Sequence, residues 1–155
     1  MAQLTEDEYR VLLIFRCALR QYIRWSGEQA GKLGLTAQQH QMLLAVRAHP
    51  GSIAPSISEL AEYLLIRHHS AVELANRAEA SGLVNRHSDT DDQRVVRVTL
   101  TEKGTDLIEQ LADAHMSELQ RVAEQLHISQ EFIENLSREF STQLVEDVNT
   151  LDETG

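Results

Sequence analysis

Residues 56–104 read SISELAEYLLIRHHSAVELANRAEASGLVNRHSDTDDQRVVRVTLTEKG. Ser56 and Glu59 stand at capping-box spacing, so each can satisfy a free N–H at a helix start. Leu60, Ala61, Leu64 and Leu65 then form a short apolar face. A second helical run buries Ala71, Val72, Leu74, Ala75 and Ala78 and leaves Arg67, His68, His69, Ser70, Glu73 and Arg77 on its other side. Ser81-Gly82 stops that run, because glycine takes the left-handed terminal conformation at little cost. Leu83-Val84 and residues 95–100 (VVRVTL) are β-branched, strand-like runs, separated by the turn-rich residues 88–93. Thr101 is placed to cap a further helix.

Two short helices, a stop and a hairpin with a charged tip are the parts of a winged helix-turn-helix, in order. The segments SISELAEYL, NRAEASGLV, DDQRVVRVTL and TEKG, at this spacing, resemble the MarR-type (multiple antibiotic resistance regulator) family. The likeness extends to LGLTAQQHQMLLAV upstream and to the long helix downstream, and so covers nearly the whole chain. It implies a mainly α fold with a small β-wing. The N- and C-terminal helices would form a dimerisation region (about 5–32 and 105–151) around a winged helix-turn-helix (about 36–104) in a single domain. It also implies a homodimeric, DNA-binding, ligand-responsive repressor. Two positions depart from the family pattern. Leu65 stands where the turn between the two helices often has glycine, and a left-handed backbone there would cost of order 1 kcal/mol. Arg67 stands where the second helix often starts with Ser or Thr; it removes a cap and puts a cation at a positive helix end.

A chain of 155 residues with 42% hydrophobic content has the size of one domain with a core of its own. No apolar run has membrane-spanning length, and MAQLTEDEYR lacks the basic start and apolar core of a signal peptide, so a cytoplasmic location with no membrane partner is expected. The single Cys17 excludes an intrachain disulfide framework. The formal net charge of −10 runs against nucleic-acid binding, but it is uneven: +2 over residues 1–56, −2 over 57–104 and −10 over 105–155. The acid therefore lies mostly in the last third, and binding would rest on a few arginines.

Upstream, Thr5 with Glu8 and Thr36 with Gln39 have capping-box spacing. They predict helices from about Glu6 to about Lys32 and from Ala37 to about Arg47, the latter ended by His49-Pro50-Gly51. Val11, Leu12, Phe15, Ala18, Leu19, Tyr22 and Ile23 stripe the first helix. Leu107, Leu111, Ala114, Leu119, Val122 and Leu126 stripe the helix after the wing. Ser129 would cap a last helix carrying Ile133, Leu136, Phe140, Leu144, Val148 and Leu151. These stripes exceed what one small core covers, which points to a second copy of the chain.

On this reading Arg67 is the candidate for paired hydrogen bonds to guanine, with His68, His69 and Ser70 beside it on bases or phosphate. Two such helices would enter successive major grooves of an inverted repeat, ~34 Å apart. Residues 92–94, Asp-Gln-Arg, match the family's Asp-x-Arg; the resemblance implies that Arg94 reaches the minor groove or its phosphates while Asp92 supports the wing. Arg77 and Arg86 are candidates for backbone contact or for bracing the domain. The plainer alternative is that these are solvated charges or intradomain pairs. Adjacent His68 and His69 diverge on a helix, so no metal site is expected there, and the other histidines read as surface or polar-core residues. No cofactor is expected. Cys17 reads as a buried thiol rather than a redox sensor. Arg16, Arg20, Trp25 and His40 mark a region that in the family often binds small aromatic or carboxylic effectors; as residues they read rather as solvated or paired arginines and a packed Trp25. No phosphate loop or nucleophile–base constellation argues for an enzyme. The competing function is a helical protein-interaction module whose winged part does not bind DNA.

Overall fold

The computed structural model describes residues 4–128 and, beyond them, Asn135. The expected last helix from Ser129 to Leu151 lies outside the described residues apart from that one position. The elements are α1 (Glu6–Lys32), α2 (Ala37–Ala48), α3 (Ile57–Tyr63), α4 (His68–Ala80), β1 (Val84–Ser88), β2 (Val96–Leu100) and α5 (Glu102–Gln125). All three expected capping boxes form, at Thr5/Glu8, Thr36/Gln39 and Ser56/Glu59. Helix α4 opens on Arg67 with no side-chain cap.

Helices α3 and α4 end in the same way. The N–H of Leu65 bonds the carbonyl of Glu62 and that of Ile66 bonds Ala61; the N–H of Gly82 bonds Glu79 and that of Leu83 bonds Ala78. This paired motif needs a left-handed residue just past the helix. Gly82 takes it at φ 70°, whereas Leu65 takes it at φ 52° with its side chain 92% exposed. The departure noted in the sequence is thus a local strain that no burial offsets.

The core gathers Met42 and Leu43 of α2, Leu60 of α3, Leu74 of α4, Leu83 and Val84, Val98 of β2, and Ile108 and Leu111 of α5. Each fully buried leucine contributes about 1.5–3 kcal/mol of burial. Strands β1 and β2 pair antiparallel with Val84 opposite Leu100 and Ser88 opposite Val96. The first strand is longer than Leu83-Val84 alone: β1 takes in Asn85 to Ser88, exposed residues whose pairing supplies the ladder. The loop before α3 adds a short third edge, since the N–H of Val98 donates to the carbonyl of buried Pro55 and Ser56 bridges Arg97.

TEKG is explained by one junction. Thr101 caps α5 through the N–H of Gly104 (3.0 Å) and donates its hydroxyl to the carbonyls of Gly82 (2.7 Å) and Leu83 (3.0 Å). Gly104 lies so close that a Cβ would fall on the carbonyl of Leu83.

The terminal stripes differ from expectation. In α5 the buried residues are Gly104, Ile108, Leu111 and Ala123, while Ala114 and Leu119 are exposed. In α1 only Ala30 is buried; residues 11–15 (VLLIF) are all between 46% and 65% exposed. Cys17, expected to be buried, is half-buried for the same reason. No helix among the described residues is long and apolar enough to cross a membrane.

Candidate functional site

Helices α3 and α4 pack on each other, and α4 packs on β1, so the recognition-type helix and the hairpin belong to one body. The inner face of α4 is sealed by Ala71, Leu74, Ala75 and Ala78. Its three alanines let α4 sit close to its neighbours, and the polar residues of its first turn face outward. Arg67, His68, His69 and Arg77 are exposed, and Ser70 is half-buried. His68 lies 3.3 Å from the hydroxyl of Ser58, which orients it toward the start of α3. Arg67 and Arg77 form no ion pair among the described residues. Arg86, by contrast, is held: its backbone N–H and its guanidinium both donate to Glu79, at 2.9 Å each. Of its two sequence roles, bracing α4 against β1 is the one this pairing serves.

At the wing, Arg94 is 90% exposed and lies in a forked pair with Asp92, Nε to Oδ1 at 3.0 Å and Nη2 to Oδ2 at 2.8 Å. The guanidinium beside it holds the Asp92 carboxyl below the usual carboxylate range, and Asp92 in turn raises Arg94. Asp92 therefore aims Arg94, two residues away. The closure of the turn rests elsewhere. Asp89 accepts the N–H groups of Asp91 (2.8 Å) and Asp92 (3.1 Å) on one oxygen, and Nε of Arg97 (2.7 Å) on the other. Those bonds, the Arg97 one first, bring its pKa down to about 2. Arg97 and Asp89 went unnoticed in the sequence. Their only signal there was an arginine inside an otherwise apolar β2 pattern.

A cavity of about 630 Å³ lies between α1, α2 and α5. Tyr22, Ile23, Leu44, Ile108, Met116 and Leu119 form its apolar wall; Ser26, His40, Gln41, Arg47, Glu109 and His115 supply polar groups. Of the four residues expected here, His40 lines the cavity and is buried, and its ring makes no hydrogen bond to another described residue. Trp25 stands just behind, its ring 4.9 Å from that of His115. Arg16 and Arg20 do not line it. They are exposed on α1, and Arg16 lies ~9 Å nearer its N-terminus than Tyr22, at 1.5 Å per residue. The nearest cation is instead Arg47, which pairs with Glu109 at 3.8 Å. His115, expected as an ordinary surface or polar-core residue, is half-buried and accepts from or donates to Ser26 at 2.8 Å.

Comparison with known proteins agrees with this architecture. Residues 33–95 match the model of the MarR family. The HTH-type transcriptional repressor MdtR of Bacillus subtilis is 32% identical over 77 residues, covering 50% of this chain and 48% of that protein. The chain spans about half the length of the curated relatives it matches. Among solved structures, AbsC, a MarR family transcriptional regulator from Streptomyces coelicolor, superposes with a TM-score of 0.71 at 20% identity, covering 97% of this chain and 99% of that one. The S. aureus MepR–DNA complex gives 0.66 at 19% identity, covering 93% and 99%. At such identities these two speak for the fold. The family model falls on the segment that folds here as the winged helix-turn-helix, which is where this chain is similar to the MarR family.

Proposed function

We propose that this chain is a DNA-binding transcriptional regulator rather than an enzyme, acting as a homodimer on an inverted repeat. The observation that carries the reading is α4 itself. Its inner face is sealed by three alanines and Leu74, while its outer face offers exposed Arg67 and Arg77 without carboxylate partners among the described residues. A cation at an uncapped helix start is unfavourable alone and favourable against a phosphate or a guanine edge. In this reading Arg67 reads bases and His68, His69 and Ser70 flank it. Arg77 meets the phosphate backbone, Arg94 enters the minor groove as Asp92 aims it, and Arg86 braces the domain. The exposed apolar residues 11–15 of α1 support pairing of the long terminal helices with a second copy. The relatives' names support the same view: MdtR is a repressor, and MepR was solved with DNA.

The cavity supports a ligand-responsive form of the regulator. Its walls are mainly apolar, and the ring of buried His40 has no hydrogen-bond partner among the described residues. Both features suit a small aromatic or carboxylic effector. Benzoic acid and phenols should raise the melting temperature if they bind there.

Fluorescence polarisation against the DNA upstream of its own gene, at two salt concentrations, tests the main claim. Affinity that falls as salt rises is expected from phosphate neutralisation. The net charge of −2 over residues 57–104 favours the second reading, a protein-interaction module, and absence of binding would select it.

A further inference from the structure

Two arginines three residues apart in the wing have different surroundings. Arg94 donates to Asp92 within its own turn and is otherwise in solvent. Arg97 leaves the hairpin. Its Nε donates to Asp89 (2.7 Å), and its Nη1 donates to the carbonyl of Ala54 (3.1 Å) and to Glu59 (3.4 Å). The side chains of Arg97, Asp89 and Glu59 are only 17%, 11% and 13% exposed. Glu59 is also the capping-box acid of α3, accepting the N–H of Ser56 at 2.6 Å. Asp89 is the residue on which the wing turn closes. One guanidinium thus joins the wing turn, the loop before α3 and the first turn of α3.

We propose that Arg97 is a positioning residue that fixes the wing, and with it Arg94, relative to the helix-turn-helix before any partner arrives. The physical case is one of attachment. A two-stranded ribbon is marginally stable alone, and beyond Val84 the residues of β1 are exposed. Without the Arg97 fork the wing turn itself has no side-chain tie to the rest of the domain among the described residues, because the Arg86–Glu79 pair and the edge bonds at Pro55 and Ser56 hold the ribbon further from its tip. A planar guanidinium can serve several acceptors in fixed directions, which an ammonium on a flexible stem does less well. Pairs this sheltered are also screened less by salt than exposed ones. The functional half of this inference rests on the DNA-binding reading; the anchoring half does not.

The test separates them. In Arg97→Met, which keeps the apolar stem, amide exchange at Asp89, Asp91, Asp92 and Val95 should quicken about tenfold or more in the DNA-free protein, followed by NMR. Arg94→Ala should leave those rates within about twofold. Arg97→Lys should fall between wild type and Arg97→Met, and it carries the exchange test if Arg97→Met fails to melt cooperatively. On DNA, Arg97→Met should weaken binding about tenfold through lost preorganisation. The double variant Arg94→Ala/Arg97→Met should bind no worse than Arg94→Ala, because Arg97 acts through Arg94. Unchanged exchange overturns the anchor; losses that multiply in the double variant overturn its action through Arg94. Should the wild type ignore DNA, the regulator reading falls, and the exchange rates still decide whether Arg97 anchors the wing.

Discussion

His40 of α2 and His115 of α5 lie with ring centroids 4.5 Å apart, at the contact between the winged part and the long helices. Nδ1 of His115 donates to the carbonyl of Leu111 (2.7 Å), which leaves its Nε2 to accept from Ser26. Burial pushes the His40 pKa below its ordinary value, and His115 adds to the effect. Tyr22 and Ser26 face the pair from α1, and Arg47 and Glu109 line the same cavity. A histidine whose folded pKa is depressed takes up protons more readily when unfolded. The stability it contributes is full above its unfolded pKa of about 6.5 and is lost as the pH falls from there through the folded pKa. Melting temperature should therefore drop more steeply between pH 7.5 and 5.5 in wild type than in His40→Gln. Parallel pH profiles would contradict the assignment.

Leu65 offers a gain. Its backbone is left-handed at φ 52° and its side chain packs on nothing that burial would reveal. Asparagine tolerates this conformation better. Leu65→Asn should stabilise the protein by about 0.5–1 kcal/mol, a rise of roughly 1–4 °C in Tm. A fall in Tm would mean that Leu65 makes a contact this chain alone does not contain.

Gly104 predicts the opposite sign. A methyl group there meets the carbonyl of Leu83, part of the backbone that also receives Thr101. The junction cannot yield by rotating a side chain. Gly104→Ala should cost about 1–3 kcal/mol, the range for forced overpacking, and should lower Tm by several degrees.

Much of the architecture was legible because it is written locally. Three capping boxes and the Gly82 stop lie within a few residues of the ends they define, and α1 runs from Glu6 to Lys32 as the spacing predicts. The extent of β1 was hidden, because its outer residues are polar and owe their strand form to pairing with β2. The Arg97 anchor was hidden for a different reason. It joins residues 8, 38 and 43 positions apart, and no local pattern encodes such a meeting. The cavity was legible in outline only: His40 was identified, whereas Arg16 lies too far along α1, Arg20 is turned away from Tyr22 by two residues of helical twist, and His115 arrives from α5.

For the recognition helix, Arg67→Ala should weaken binding and relax base preference together, by about 1–3 kcal/mol at the base it reads. Competition titrations with operator and random duplex measure both. Equal losses on the two duplexes would remove Arg67 from base reading and leave it a phosphate contact.

The outward presentation of Arg94 gives the sharpest test of DNA binding. Affinity for the upstream duplex should be measured across a salt series for wild type and Arg94→Ala. The account predicts weaker binding by the variant on every sequence and a log–log salt slope smaller by about one, for one lost phosphate contact. Superimposable curves for the two proteins, or no salt-dependent affinity in either, would contradict it.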